Sequence, residues 1–347
     1  MKQALKIATS IFLAVFFLWL AFREIEWEKF FQSLQTANLT WLIVTVFILV
    51  LSCIPRAWRW AILLRPIHPH IPLSAAFRAV LIGYAGNSVF PRAGEIARVV
   101  ALRQKVDVPF STMLATVVVE RILDLLTFAI IFLIVVLAVR DKINTAFADL
   151  TLFGYRLLEL MPLELFSVLL AASFLCILIF LGLLSIYGKK ILPHIQNIAS
   201  HLSPTFAARI VEILEMFLEG MASIRSFSGY LGIFISTIVL NTMYWLSILL
   251  PFFSFQFHIN YGLNPFDALV VMTIATIGVI LPTPGGTGTY HLFCRQALVQ
   301  LYGVPVSEAI AFATVAHALA IVAFLLFGGP SLLRMVLKKE TKKEDAE

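Results

Sequence analysis

The stretch "GVILPTPGGTGTYHLFCRQAL", residues 278–298, decides how this chain folds. It opens as membrane-grade apolar sequence, breaks at Pro282, Pro284, Gly285, Gly286 and Gly288, and resumes carrying His291 and Arg295. Lipid offers no partner to exposed backbone N–H and C=O groups, so such a break is tolerated at membrane depth only where protein buries it or where it lines a cavity. The apolar run before it, Ala268–Leu281, holds 14 residues. That is too few to cross about 30 Å of hydrocarbon as a helix. A re-entrant turn accounts for both the short run and the break.

The rest of the chain supplies the membrane. Of 347 residues, 60% are hydrophobic and 13% are charged, and the mean hydropathy is +0.94. Soluble domains carry about a quarter charged residues, so soluble classes are excluded. Leu165–Tyr187 and Tyr230–Phe257 contain no charged residue over 23 and 28 positions. Runs of that length cross as helices, whereas a barrel would show short alternating segments. The fold class is therefore all-α, a polytopic transmembrane bundle with about six full spans near 4–22, 39–62, 113–139, 165–187, 230–254 and 307–330. Two re-entrant hairpins complete it, the second being residues 71–90, which Arg78, Gly83, Gly86 and Asn87 interrupt. Residues 1–337 form one transmembrane domain and 338–347 a charged tail. The first apolar run is long and has no small-residue cleavage site after it, which predicts an uncleaved span.

Lys and Arg set the orientation. With the N-terminus cytoplasmic, sixteen fall inside, Arg56 and Arg59 among them; only Arg23, Lys29, Arg140, Lys142 and Arg156 fall outside. The positive-inside rule then places both termini in the cytoplasm. The same asymmetry accounts for the net charge of +6 without a nucleic-acid partner. After "SPT", Phe206, Ile210, Ile213, Leu214, Phe217, Leu218, Met221 and Ile224 recur at helical spacing opposite Glu212, Glu215 and Glu219. This predicts an amphipathic helix packed on the bundle or lying on the interface. Cys53, Cys176 and Cys294 stand singly in apolar context, with no disulfide framework and no zinc-type spacing. No metal and no cofactor are expected.

Five cations remain at membrane depth: Arg78, Arg92, Arg98, Arg121 and Arg295. Each is costly there and marks a partner or a cavity. In "GNSVFPRAGEIAR", Gly86–Arg98, Pro91 suits a first helical turn, and Arg92 and Arg98 flank Glu95 at i−3 and i+3. With Asn87 at the turn, this is a phosphate seat or an Arg–Glu–Arg clamp. In "ERILD", Glu120, Arg121 and Asp124 share one helical face, and two acids against one base call for a proton or a second arginine, with Arg92 and Arg98 as candidates. In "PTPGGTGTYH", Gly285, Gly286 and Gly288 after Pro284 free the backbone before a helix that presents unpaired N–H groups beside His291. It is neither a Walker loop nor a dinucleotide fingerprint. His317 stands isolated in the last span and reads as a packing residue.

These three motifs, in this order and at these distances, resemble the flippase-like membrane family that includes the transmembrane region of lysylphosphatidylglycerol synthase. The resemblance covers nearly the whole chain. It implies movement of charged phospholipids or polyprenyl-type lipids between leaflets, with membrane lipids as partners. It also implies a role beside a separate lipid-modifying enzyme and leaves room for a homo-oligomer. The synthase's soluble lysyl-transfer domain has no counterpart in the tail after residue 337, so lysyl transfer is not expected here. Where the family pattern often has an acid, this sequence has His291.

The leading reading is thus a non-enzymatic lipid flippase whose headgroup site draws on Asn87, Arg92, Glu95, Arg98, Glu120, Arg121, Asp124, Pro284, Gly285, Gly286, Gly288 and His291. A membrane enzyme acting on lipid phosphate is the alternative. A soluble-solute carrier predicts polar stripes along several spans, which the uncharged runs do not provide.

Overall fold

The computed structural model describes residues 2–65, 67–89, 93–146, 151–152, 155–156, 163–201, 203–222, 227–281 and 283–344. Arg92 and Pro282 lie outside them. Helices run in the order α1 (Lys2–Phe22), α2 (Trp27–Thr36), α3 (Leu39–Leu51), α4 (Cys53–Leu64), α5 (Leu73–Val89), α6 (Ala93–Arg103), α7 (Phe110–Ala138) and α8 (Arg140–Ala146). Then follow α9 (Leu163–Ser200), α10 (Pro204–Ala222), α11 (Phe227–Ser254), α12 (Phe257–Asn260), α13 (Pro265–Ile280), α14 (Thr289–Tyr302) and α15 (Val306–Glu344). Among the described residues the exception to helix is a two-residue antiparallel ladder, β1 (Thr151–Leu152) with β2 (Tyr155–Arg156).

Four helical stretches are long and apolar enough to cross a membrane: Leu39–Leu64, Phe110–Ala138, Phe227–Ser254 and Val306–Leu337. They match four of the six expected spans. The other two expected spans lie within the helices α1 and α9, whose apolar stretches among the described residues are Thr9–Phe22 and Ser167–Ile177. Pro265–Ile280 is a short apolar helix, as the 14-residue run requires.

The packing divides into two compact units. The first comprises Met1–Ala57, Phe77–Ala101 and Ile238–Glu347. Its core is aromatic: Phe257 and Phe312 each pack against the other and against Phe252 and Phe255, with ring centroids 5.2–5.7 Å apart in tilted and edge-on pairs. Such geometries suit the ring quadrupoles. Here α14 packs on α13, α1 and α15, and α15 packs on α2 and α3. Asn264 caps α13 by accepting from the N–H groups of Phe266 and Asp267, and Asp267 returns to the Asn264 N–H at 2.8 Å. This reciprocal box, followed by Pro265, fixes where α13 starts.

The second unit comprises Trp58–Ala76 and Leu102–Thr237. In it α10 packs against α9 and α7. Leu214 and Leu218 join Ile62, Leu63, Val119 and Ile233 in one apolar cluster, while Glu212 and Glu215 are exposed. The amphipathic helix is therefore built into the fold through this face. The side chains of Phe206, Ile213 and Phe217 lie outside the description.

Two cations differ from their expected places. Arg56 and Arg59 are not loop residues: α4 carries them inside Leu39–Leu64, where they are 4% and 0% exposed. A third cation, Arg78, expected to mark a partner or a cavity, is exposed instead.

Candidate functional site

In the first unit the end of α5 and the start of α6 lie almost in contact. Glycine makes this possible: a Cβ on Gly94 would stand 1.8 Å from the Gly83 carbonyl oxygen and 2.7 Å from the Asn87 side chain. The Gly94 N–H donates to Asn87 Oδ1 at 2.8 Å, and Asn87 Nδ2 donates to Glu95 Oε1 at 3.5 Å. Asn87 thus spans the turn, satisfying an orphan helix N–H on one side and a carboxylate on the other. Arg98 is buried beside Gly83. The described contact of Glu95 is with Asn87, and the expected contribution of Arg92 falls outside the described residues.

The second broken segment forms a matching tip. After α13 a single 3₁₀ turn, Pro284–Gly286, leads into α14. Gly285, Gly286 and Gly288 adopt φ of 57°, 79° and 85°, a region other residues enter at a cost. Thr289 Oγ1 donates to the Gly286 carbonyl at 3.1 Å and shares a 2.9 Å hydrogen bond with Thr283 Oγ1, which closes the turn. Gly278 packs on the backbone of Thr289 and Tyr290, and Gly288 on that of α1 at Ala14 and Leu18. His291 Nδ1 accepts from the Gly288 N–H at 3.4 Å. A side chain at the third helical position reaching back to the cap N–H is the task that a Glu or Gln performs in a capping box. His291 therefore caps the start of α14. His317 is not isolated: its ring lies 4.9 Å from Tyr290 and 5.0 Å from His291.

The two tips meet. A Cβ on Gly285 would lie 3.6 Å from the Ser88 carbonyl oxygen and 3.7 Å from its Cα, with the Asn87 carbonyl at 3.9 Å. Ser88 in turn donates to the carbonyl of Tyr84 at 3.0 Å. The Tyr84 and Tyr244 hydroxyls lie 2.5 Å apart, Arg56 donates to Tyr244 at 3.0 Å, and the Arg56 guanidinium sits 5.6 Å from the Tyr84 ring centroid. A buried arginine is thus tied through tyrosines to the tip of α5. Sequence reasoning missed it, although its position inside the 39–62 apolar run was the available signal.

In the second unit Glu120, Arg121 and Asp124 come together as expected, but the second base is Arg59. Arg59 Nη2 pairs with Asp124 and lies 3.7 Å from Glu120, while its Nη1 donates to Thr237 at 3.2 Å. Arg121 lies 3.6 Å from Glu120 and 3.4 Å from Asp124. Among the described residues two acids thus face two bases, the pairing a buried charge requires, and Arg92, expected as a candidate second base, lies outside them. Glu120 and Arg59 are fully buried, Asp124 is partly exposed and Arg121 is the most open. Among the described residues no group of three or more His, Cys, Asp or Glu is arranged to hold a metal ion.

Long apolar helices, glycine-broken segments meeting tip to tip in one unit and a buried ion cluster in the other are features of a helical membrane protein. The comparisons narrow the class. The chain belongs to the lysylphosphatidylglycerol synthase TM region family, whose model matches residues 4–328. It is also similar to glycosyltransferase AglD of Haloferax volcanii, with 22% identity over 281 residues. That match covers 77% of this chain and 44% of the relative, so the chain spans less than half of that protein's length. No solved structure matches it.

Proposed function

We propose that this chain moves a lipid with an anionic or aminoacylated phospholipid headgroup, or a polyprenyl-type lipid, between the leaflets of a bacterial-type plasma membrane, with both termini cytoplasmic. The observation that carries this reading is the meeting of the two tips in the first unit, Asn87–Ser88 against Gly285. On the orientation read from Lys and Arg, the hairpins α5–α6 and α13–α14 are re-entrant and enter from opposite faces. Broken segments of that kind point to a transporter's central site. A headgroup phosphate there is met by the N–H groups that begin α6 and α14 and by Arg98, with Arg92 as the second arginine of the motif. Glu95, held by Asn87, engages an amine on an aminoacylated headgroup. The acyl chains stay in lipid, and parting of the tips opens the site to one leaflet or the other.

Membership of the family supports a lipid-related role. The test is movement of fluorescent phosphatidylglycerol in vesicles holding the purified chain. The Arg92→Ala, Arg98→Ala double variant loses at least tenfold in rate, and the Arg92→Lys, Arg98→Lys variant retains part of it. Indistinguishable rates overturn the reading.

The alternative is a membrane enzyme acting on a lipid phosphate or headgroup, favoured by the similarity to the Haloferax volcanii glycosyltransferase. Headgroup transfer or phosphate release by the purified chain, without lipid movement, replaces the transport reading with this one.

A further inference from the structure

Between the end of α1 and the outer face of α14, within the first unit, lies a cleft of about 420 Å³ lined by Arg23, Glu24, Leu292, Arg295, Gln296 and Gln300. No motif pointed to it. Arg295 is its anchor and is only 6% exposed. One arm of its guanidinium caps α1, donating to the carbonyls of Leu20 at 3.0 Å and Ala21 at 3.1 Å, and the other pairs with Glu24. Its Nε is buried and has no hydrogen-bond partner. Arg23 Nε donates to the same Glu24 carboxylate at 3.2 Å. The hydrogen bond from Arg295 and its charge hold the Glu24 carboxyl below the usual carboxylate value, so it is ionised at neutral pH. Two cations then share one anion, and the cleft keeps a surplus positive charge.

Its other wall adds uncharged polarity. Leu292, Gln296 and Gln300 recur every four residues on one face of α14, and both glutamines are exposed. Their amides offer donors and acceptors together, the equipment for hydroxyl groups. The surroundings are lipid-facing: Phe12, Phe16 and Trp19 are exposed on α1, and Trp27 and Phe31 on α2. Tryptophans flanking a charged segment at the end of an apolar helix place it at the headgroup level.

We propose that this cleft is a second, interfacial binding site for a phosphate-bearing, hydroxyl-rich lipid headgroup. Arg23 meets the phosphate in the field of Arg295, whose own terminal donors stay on Leu20, Ala21 and Glu24, and Gln296 and Gln300 meet the hydroxyls, beside the leaflet that the end of α1 faces. The proposal needs the chain to lie in a membrane and does not rest on transport, so it stands or falls apart from the function proposed above.

The test is binding of phosphatidylglycerol to the full-length protein in phosphatidylcholine nanodiscs, followed by native mass spectrometry. Arg23→Gln and the Gln296→Leu, Gln300→Leu double variant each weaken binding of one lipid by about tenfold, the scale of one lost charge-assisted hydrogen-bond set. Arg78→Gln, which removes an equal charge from an exposed position elsewhere, leaves binding unchanged. Equal affinities for wild type, Arg23→Gln and the double glutamine variant overturn the proposal. Competition separates the sources of phosphate: glycerol phosphate or inorganic phosphate at millimolar concentration fails to displace the lipid, and displacement by either assigns the cleft to a soluble anion and overturns the headgroup assignment.

Discussion

Arg59 is the residue whose placement most changes the reading of the chain. At 0% exposure it pairs with Asp124, approaches Glu120 at 3.7 Å and reaches Thr237. Breaking a buried pair from one side strands a charge and costs about 3–5 kcal/mol. Arg59→Ala is therefore expected to lower stability by about that amount in detergent unfolding. Adding Asp124→Asn to the Arg59→Ala variant recovers part of the loss, because the stranded acid is then neutral. A loss within about 1 kcal/mol for Arg59→Ala contradicts the cluster. The sequence announced the acids and Arg121 through their helical spacing. It hid Arg59, because a cation near the end of an apolar run satisfies a loop position and a buried position equally well. Only the helix that brings Thr237 opposite α4 decides between them.

At the scale of elements, glycine sets how closely helices approach. Gly328 and Gly329 are neighbours in α15 with opposite surroundings. A Cβ on Gly328 would stand 2.3 Å from the carbonyl oxygen of Leu81 in α5, whereas a Cβ on Gly329 meets nothing within 4 Å. Gly328→Ala is expected to cost about 1–3 kcal/mol through overpacking. Gly329→Ala is expected to be neutral or to stabilise by up to about 1 kcal/mol, since alanine removes backbone freedom from the unfolded chain. Thermal melts of the two variants check this, and equal melting temperatures contradict the α5–α15 contact. Both helix breaks, after Val89 and after Ile280, were legible in the sequence because Pro and Gly interrupt apolar runs visibly. The contact between them was not, since nothing local in Asn87–Ser88 or in Gly285 encodes its partner. His291 shows the same limit: its departure from the acidic family pattern was visible, while its hydrogen bond from the Gly288 N–H came only with the geometry.

For the whole molecule, composition sufficed to place the chain among helical membrane proteins, because lipid imposes helices on any long apolar run. Among the described residues four helices are long and apolar enough to cross a membrane. The grouping of segments far apart in sequence into two compact units was not readable, since it depends on packing between helices whose apolar faces look alike. The central claim is that the tips at Ser88 and Gly285 must part for a headgroup to pass. Their backbones lie close enough for a disulfide once each carries a Cβ. Of the native thiols, Cys53 and Cys294 are buried and Cys176 is exposed. The decisive measurement is therefore lipid movement across vesicles by a Ser88→Cys, Gly285→Cys variant in a Cys176→Ser background, before and after oxidation. The account predicts that oxidation stops movement at least tenfold and that reductant restores it. An oxidised, cross-linked protein that moves lipid at the rate of its reduced form contradicts it.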